Sequence, residues 1–341
     1  MFAKKTLVAA AALLAVAGAA QAQSSVKLYG MVDMSVGSFE TAGGDRTTEV
    51  ASGRMMTSYF GLSGSEDLGG GLKAEFVLES FLAADTGSNV TNNAGGFWGR
   101  GSWVGLSGDF GRVALGQYDN PLFASDYLYN PFGSSMYFSP TMRHYYGIFG
   151  NVTSLGFDTG FVNSVTYETP NMSGFVGTLQ YSPKESGAAG RKNSYSAAVN
   201  YTAGPLSAQL TYVKGGISDT VGGFQAYKQD EKVWSLGASY DFGVAKAFLQ
   251  YTDVDDKTSA QEDKIYQVGV SVPLTDKASV MASYGQLKRD SGGSTLNDKV
   301  FSLGYGYALS KRTDVYGVFT NNQTTNLESG QSFAVGVRHN F

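Results

Sequence analysis

The chain offers few residues for covalent chemistry. It has two histidines, His144 and His339, and no cysteine, which excludes thiolate nucleophiles, disulfides and cysteine-ligated metals. His144 shares a stretch with Ser139 and Asp126, the residue types of a hydrolytic triad, but no nucleophile motif surrounds the serine. No phosphate loop, zinc spacing or EF-hand loop is present. The glycine-rich pieces GGDR (43–46) and SGGS (292–295) lie in polar loop sequence. No catalytic residue, metal ligand or cofactor is therefore expected. What remains is charge. Asp119, Asp126, Arg143 and Asp158 sit with His144 in one long stretch, from Asp119 to about Phe161. In a narrow aqueous passage, acids facing bases make a transverse field that sorts permeants by charge and dipole. The chemistry to expect is electrostatic selection.

That stretch has no alternating apolar/polar run and is rich in aromatics, Pro, Gly, Ser and Asn. A structureless loop of about forty residues is unusual unless functional or disordered, and its aromatic content argues against disorder. We expect it to fold into the lumen of a barrel and narrow it. Asn120-Pro121 reads as a helix start, with Asn as cap and Pro at the first helical position, and Leu122 to Tyr129 then make two turns. Tyr127, Tyr129, Phe132, Tyr137, Phe138, Tyr145, Tyr146 and Phe149 would pack the loop on the inner wall.

The wall follows from the rest of the chain. From Val26 to Phe39 the residues Val26, Leu28, Val32, Met34 and Val36 share one face, and Lys27, Tyr29, Met31, Asp33 and Ser35 the other, a period of two. Similar runs recur to 331–341, sixteen in all, each near the length a tilted strand needs to cross a bilayer. Tight connections such as EDLGGG (66–71), GDFG (108–111) and TAGP (202–205) alternate with longer polar ones such as 83–96, 183–192 and 215–230. Short turns on one rim and long loops on the other mark an outer-membrane barrel, and an even strand count places both termini on the short-turn, periplasmic rim. Closure leaves no edge in hydrocarbon. Phe301, Leu303, Tyr305 and Tyr307 share a face opposite Ser302, Gly304 and Gly306. Lys27, Asp33, Lys73, Glu75, Glu79, Lys246, Gln250 and Arg338 fall on the other side from the lipid, where a wet lumen suits them and a dry core does not. The expectation is an all-β, sixteen-stranded antiparallel transmembrane barrel with a long third loop inside.

At the N-terminus, Lys4 and Lys5 precede the apolar run Leu7 to Ala20 and the small-residue exit Ala20-Gln21-Ala22. This is the pattern of a secretory signal peptide, residues 1–22, leaving 23–341 as the barrel and 119–161 as its constriction loop. Without Lys4 and Lys5 the remainder carries 23 basic and 29 acidic residues, a net charge of −6, which argues against a nucleic-acid partner.

Several segments resemble the general porins of Gram-negative outer membranes, specifically the trimeric β-proteobacterial type: VKLYGMVDMSV (26–36), SYFGLSGSEDLGGGLKAEFVLE (58–79), GRGSWVGLSGDFGRVALGQ (99–117), NSVTYETPNMSGF (163–175) and AVGVRHNF (334–341). The resemblance implies a homotrimer in outer-membrane lipid and passive diffusion of ions and small hydrophilic solutes. It implies too that Phe341 forms part of the signal read by the barrel-assembly machinery. Relatives usually carry arginines on the wall opposite the third loop. Arg100 stands at one such position, while Tyr59, Gln117 and Gly160 stand at others. Strict alternation from Val104 and Leu106 turns Arg100 outward, so a bulge at Gly99 or Gly101 is expected. The expected pore-lining set is Lys27, Asp33, Tyr59, Lys73, Arg100, Gln117 and Arg338 on the wall, with Asp119, Asp126 and Arg143 on the loop. Loss of the family arginines implies weak ion selectivity. Two other function classes remain open at this point: a substrate-specific channel with an aromatic binding track, and a non-conducting barrel used for adhesion.

Overall fold

The computed structural model describes residues 25–90, 96–146, 159–184, 192–215, 220–221, 224–225, 231–257 and 260–341; residues 1–22, the expected signal peptide, lie outside them. Sixteen antiparallel strands close on themselves: β1 (Ser25–Phe39), β2 in two parts (Thr47–Ser52 and Tyr59–Gly69), β3 (Leu72–Ala83), β4 in two parts (Ser88–Val90 and Gly101–Gly108), β5 (Gly111–Asp119), β6 (Gly160–Glu168), β7 (Phe175–Ser182) and β8 (Ser194–Ala203). The second half comprises β9 (Leu206–Gly215), β10 (Glu231–Asp241), β11 (Lys246–Asp256), β12 (Gln261–Pro273), β13 (Ala278–Ser291), β14 (Ser294–Ala308), β15 (Thr313–Thr324) and β16 (Gly330–Asn340). β16 pairs with β1, Met31 opposite Asn340 through Ser38 opposite Phe333, so every strand has two neighbours and no edge remains to satisfy in lipid. Phe341 continues that seam, exchanging backbone hydrogen bonds with Gly30.

The alternation in the sequence becomes the two faces of the wall. Leu28, Val36, Val104, Leu106, Leu115, Leu210, Leu249, Val268, Leu303 and Val335 are exposed on the outside. The residues between them, among them Ser35, Gln209, Gln250, Gln267 and Ser302, are buried inside. The turns at one rim are as tight as the sequence suggests. In EDLGGG the three glycines take φ of +85°, +60° and +80°, left-handed backbone that a Cβ disfavours. One strand differs from expectation. The alternating run at 52–63 is broken at 53–58, because Asp33 on β1 draws that segment inward through its carboxylate. Met55 N–H and Met56 N–H donate to it at 2.7 and 2.9 Å.

Inside the barrel lies the connection from β5 to β6. It carries α1 (Pro121–Leu128) and α2 (Pro140–Tyr146). Asn120 Oδ1 accepts from Leu122 N–H at 2.9 Å and Pro121 opens the helix, the capping the sequence foretells. The second helix was not foreseen. It begins on another such pair, Ser139-Pro140, with Ser139 Oγ accepting from Met142 N–H at 3.4 Å. Phe149 and Asp158 lie outside the described residues.

Candidate functional site

The loop is held to one side of the lumen by uncharged wall residues. Gln209 donates to the carbonyl of Pro121 and Gln250 to that of Ser125, both at 2.7 Å. Gln267 accepts from Thr141 N–H and Oγ1 at 2.8 and 2.7 Å, and Gln180 accepts from Asn120 at 2.8 Å. These amides stand on β7, β9, β11 and β12 and satisfy loop groups that burial would otherwise strand. Apolar packing adds to the grip. Leu122, Phe123, Met142 and Tyr145 pack with inward-facing Val213, Val233, Val254, Ile265 and Leu287. A Cβ added to Gly237 would collide with the Tyr129 ring, and one on Gly269 would lie 2.6 Å from Pro131, so these wall glycines let the loop approach. The tip reaches the seam, where Phe132 and Phe138 join Phe39, Met55, Tyr316 and Val318 and Ser135 donates to the Arg54 carbonyl at 2.8 Å.

The passage left open lies between the loop and the wall, chiefly β1–β6, lined by Tyr29, Glu79, Arg100, Trp103, Tyr118 and Asp119 on the wall, Tyr127 and Leu128 on the loop, and Glu168, with Thr178 and Asn200 of β7 and β8 closing it. Its centre is the ion pair of Arg100 with Glu79. Tyr29 donates to the other Glu79 oxygen at 2.6 Å, and the Arg100 guanidinium lies 4.1 Å from the Tyr59 ring centroid. Below it, Arg112 bonds Glu75 at 3.1 Å and Glu168 at 2.8 Å, and Tyr118 donates to Glu168 at 2.9 Å. Past the loop tip, a vestibule is lined by Leu128, Pro131, Lys246 and Arg338.

Of the expected residues, the structure brings Tyr59, Arg100 and Asp119 together at this passage. Arg338 faces the vestibule, half-exposed and bonded to Asp314 at 3.0 Å. Lys27 and Lys73 are exposed toward the short-turn rim. Lys73 is six residues from Glu79, about 20 Å along a strand. Four expectations are corrected. Asp33 is fully buried: besides the two N–H groups above it accepts from Tyr316 at 2.7 Å, so it braces the wall. Gln117 is spent on the turn before the second part of β4, donating to the Gly99 carbonyl at 2.5 Å. Arg143 is buried under α2 and donates to Asn322 at 2.9 Å. Asp126 is fully buried on the wall side of α1, and neither carboxylate oxygen has a hydrogen-bond partner among the described residues. Burial pushes its carboxyl well above the usual carboxylate range.

The expected bulge beside Arg100 is absent. The β3–β4 ladder runs from Lys73–Ser107 to Glu79–Gly101 without a shift. Arg100 lies in the turn just before it, where alternation does not apply, and its N–H donates to the Glu79 carbonyl at 3.2 Å. The irregularity falls instead in the β5–β6 ladder, between Gly116 and Tyr118. Arg112 and Glu168 were missed as site residues, though Arg112 shares the inward face with Ala114 and Glu168 with Thr166. The triad does not assemble: His144 Nε2 lies 3.1 Å from Asp298, and Ser139 caps α2.

Comparison with known proteins matches this architecture. A model of the Gram-negative porin family covers residues 9–327. Outer membrane porin protein 32 of Delftia acidovorans is 37% identical over 98% of this chain and 95% of its own. An outer membrane porin protein of Bordetella pertussis is 31% identical over 99% of this chain and 100% of its own. Among solved structures, an anion-selective porin from Comamonas acidovorans superposes with a TM-score of 0.76 at 31% identity, covering 94% of this chain and 100% of that one. OmpT of Vibrio cholerae, in a trimer form, gives 0.69 at 18% identity over 93% and 99%. The chain belongs to the Gram-negative porin family, and it is an outer-membrane porin, a water-filled channel for passive diffusion of ions and small hydrophilic solutes.

Proposed function

We propose that the passage between the third loop and β1–β6 is the constriction, and that it leans weakly toward cations. The observation that carries this is the charge balance on its walls. Arg100 is matched by Glu79 and Arg112 by Glu75 and Glu168, while Asp119 adds a further acid. Two arginines thus meet four carboxylates. The preference of the Comamonas porin is not carried over, because here Tyr59 stacks under Arg100 and Gln117 is turned to Gly99. Pairing of each arginine weakens the field, so the lean is small, and it shrinks further as salt shortens the Debye length from about 10 Å at 0.1 M to about 3 Å at 1 M. A single-channel recording with a reversal potential in a dilute salt gradient tests it; an anion-side potential overturns it. Saturation of the current by one solute would favour the substrate-specific reading, for which Tyr29, Trp103, Tyr118 and Tyr127 supply an aromatic track.

The reading extends to assembly. The working form is a homotrimer packed through the first and last strands. Supporting it is the hollow at Gly317, ringed by outward Val36, Val50, Tyr305, Val315 and Val335, where a neighbour's side chain fits. Residues 1–22 are a leader removed on export, and Phe341 is part of the mark read by the barrel-assembly machinery. A single-subunit species alone in unheated, crosslinked samples in mild detergent would overturn the trimer. The channel has no catalytic role.

A further inference from the structure

The outer face of β9 and β10, on the far side of the barrel from the β1–β16 seam, forms a ladder of matched pairs. Reading from the long-loop rim toward the short turns, Lys214 stands opposite Lys232, Tyr212 opposite Trp234, Leu210 opposite Leu236, Ala208 opposite Ala238 and Leu206 opposite Tyr240. All of these face outward, since the residues between them, Val213, Val233, Thr211 and Ser235, are buried inside. The Tyr212 and Trp234 rings lie 4.7 Å apart, and Tyr251 and Tyr266 continue the collar on β11 and β12 at 5.1 Å. Such a collar marks the level where hydrocarbon meets headgroups. The lysine pair therefore stands one step above it, at the headgroup level of the outer leaflet.

Two like charges directly opposite each other across neighbouring strands are unfavourable. Neither ammonium has an ion-pair partner among the described residues, and the described acids nearest by register are engaged. Asp255, opposite Lys232, is paired with Lys257 at 2.8 Å, and Asp253 accepts from Tyr251 at 3.0 Å. Elsewhere on the same belt the pattern is different: Lys288, opposite Lys264, is paired with Asp290 at 3.0 Å. We propose that Lys214 and Lys232 bind the phosphate of a phosphorylated acyl glycolipid of the outer leaflet, with an acyl chain lying along the Leu210–Leu236 and Ala208–Ala238 steps below. The phosphate supplies an anion to the lysine pair, the aromatic pair flanks the sugar level, and the two alanines leave a shallow dip for the chain.

The test is native mass spectrometry of the full-length, delipidated channel titrated with lipid A. Wild type should retain the lipid, and dephosphorylated lipid A should bind more weakly. The double variant Lys214→Gln/Lys232→Gln should bind lipid A roughly thirty-fold more weakly, the effect of two charges at a lipid surface. Lys288→Gln should bind as wild type does. Lys214→Arg/Lys232→Arg, which keeps the charge, should retain the lipid, and it guards against a glutamine pair that fails to fold. Equal binding by the glutamine pair and wild type, indifference to the lipid's phosphates, or loss in the arginine pair equal to that in the glutamine pair overturns the proposal. Millimolar inorganic phosphate should not displace the lipid; if it does, the site is one for free phosphate and the lipid assignment fails.

Discussion

The two sides of the lumen use polar residues in opposite ways. On β7 to β13 the inward polar side chains that meet the loop are mostly uncharged, Gln180, Gln209, Gln250 and Gln267, and each bonds the loop. On β3 to β6 the inward polar side chains include the charged Glu75, Glu79, Arg112 and Glu168, which stand at the passage with Arg100 and Asp119. The division follows from solvation. An amide can be sealed under a loop once its hydrogen bonds are made, whereas a charge sealed there costs several kcal/mol unless paired. Charges therefore collect where water stays. Where an acid does stand under the loop it is bonded to it, as Glu231 is to Tyr145 at 3.0 Å and Asp298 to His144 at 3.1 Å.

The largest test of this division is to remove the loop. Replacing residues 122–145 with a short Gly-Ser linker should leave a heat-modifiable barrel and raise single-channel conductance several-fold, since the side gripped by glutamines would open to water. Unchanged conductance would mean that the segment does not narrow the passage. A smaller cut is Gln250→Leu, which strips the Ser125 carbonyl of its donor. A buried acceptor left unmatched costs about 1–3 kcal/mol, so the loop should become sensitive to protease while the barrel stays folded. A loop as resistant as wild type would show the amide grip to be dispensable.

The strand count, the closure, the periplasmic turns and the α1 cap were legible because each rests on local pattern: a period of two, tight glycine turns, Asn before Pro. Which wall the loop lies on was legible too, but by a signal that the polar-inside rule hides. Val213, Val233, Val254, Ile265 and Leu287 are apolar on the inward face, while Tyr212, Trp234 and Tyr266 beside them are apolar on the outward one. A porin strand that is apolar on both faces at one height must be covered from within. Asp126 and Arg143 were misjudged because a charged residue in a loop reads as solvated until the loop's packing is known. Arg100 faces the passage against alternation, because it precedes its strand, and no periodicity argument reaches a turn.

On the charged side, single neutralisations should move the reversal potential in opposite directions. Arg100→Ser leaves Glu79 and Asp119 uncompensated and should shift it toward cations in dilute salt, with the shift shrinking at molar salt. Glu79→Gln frees Arg100 and should shift it toward anions. If both variants shift it the same way, the two side chains do not act on permeants from one narrow point.

The smallest effect, and the sharpest contrast between the two sides, concerns two acids, Asp119 at the end of β5 and Asp126 on α1. Asp119 faces the passage, and Asp119→Asn should reduce the cation lean. Asp126 is seven residues on and sealed against the wall, so Asp126→Asn should leave the reversal potential where it was. Its effect should appear in stability instead. A carboxyl whose pKa is raised by burial holds its proton more tightly in the folded than in the unfolded chain. It costs nothing extra below the unfolded value of about 4, and folded stability is lost as pH rises from there toward the folded pKa, by at most about 1.4 kcal/mol per pH unit for one proton. Asparagine has no such proton to lose. The variant's loop should therefore match wild type in hydrogen-exchange protection of α1 near pH 4 and exceed it at pH 8. A difference that does not change between those pH values, or a wild-type loop better protected at pH 8, would show that Asp126 is charged and partnered in solution.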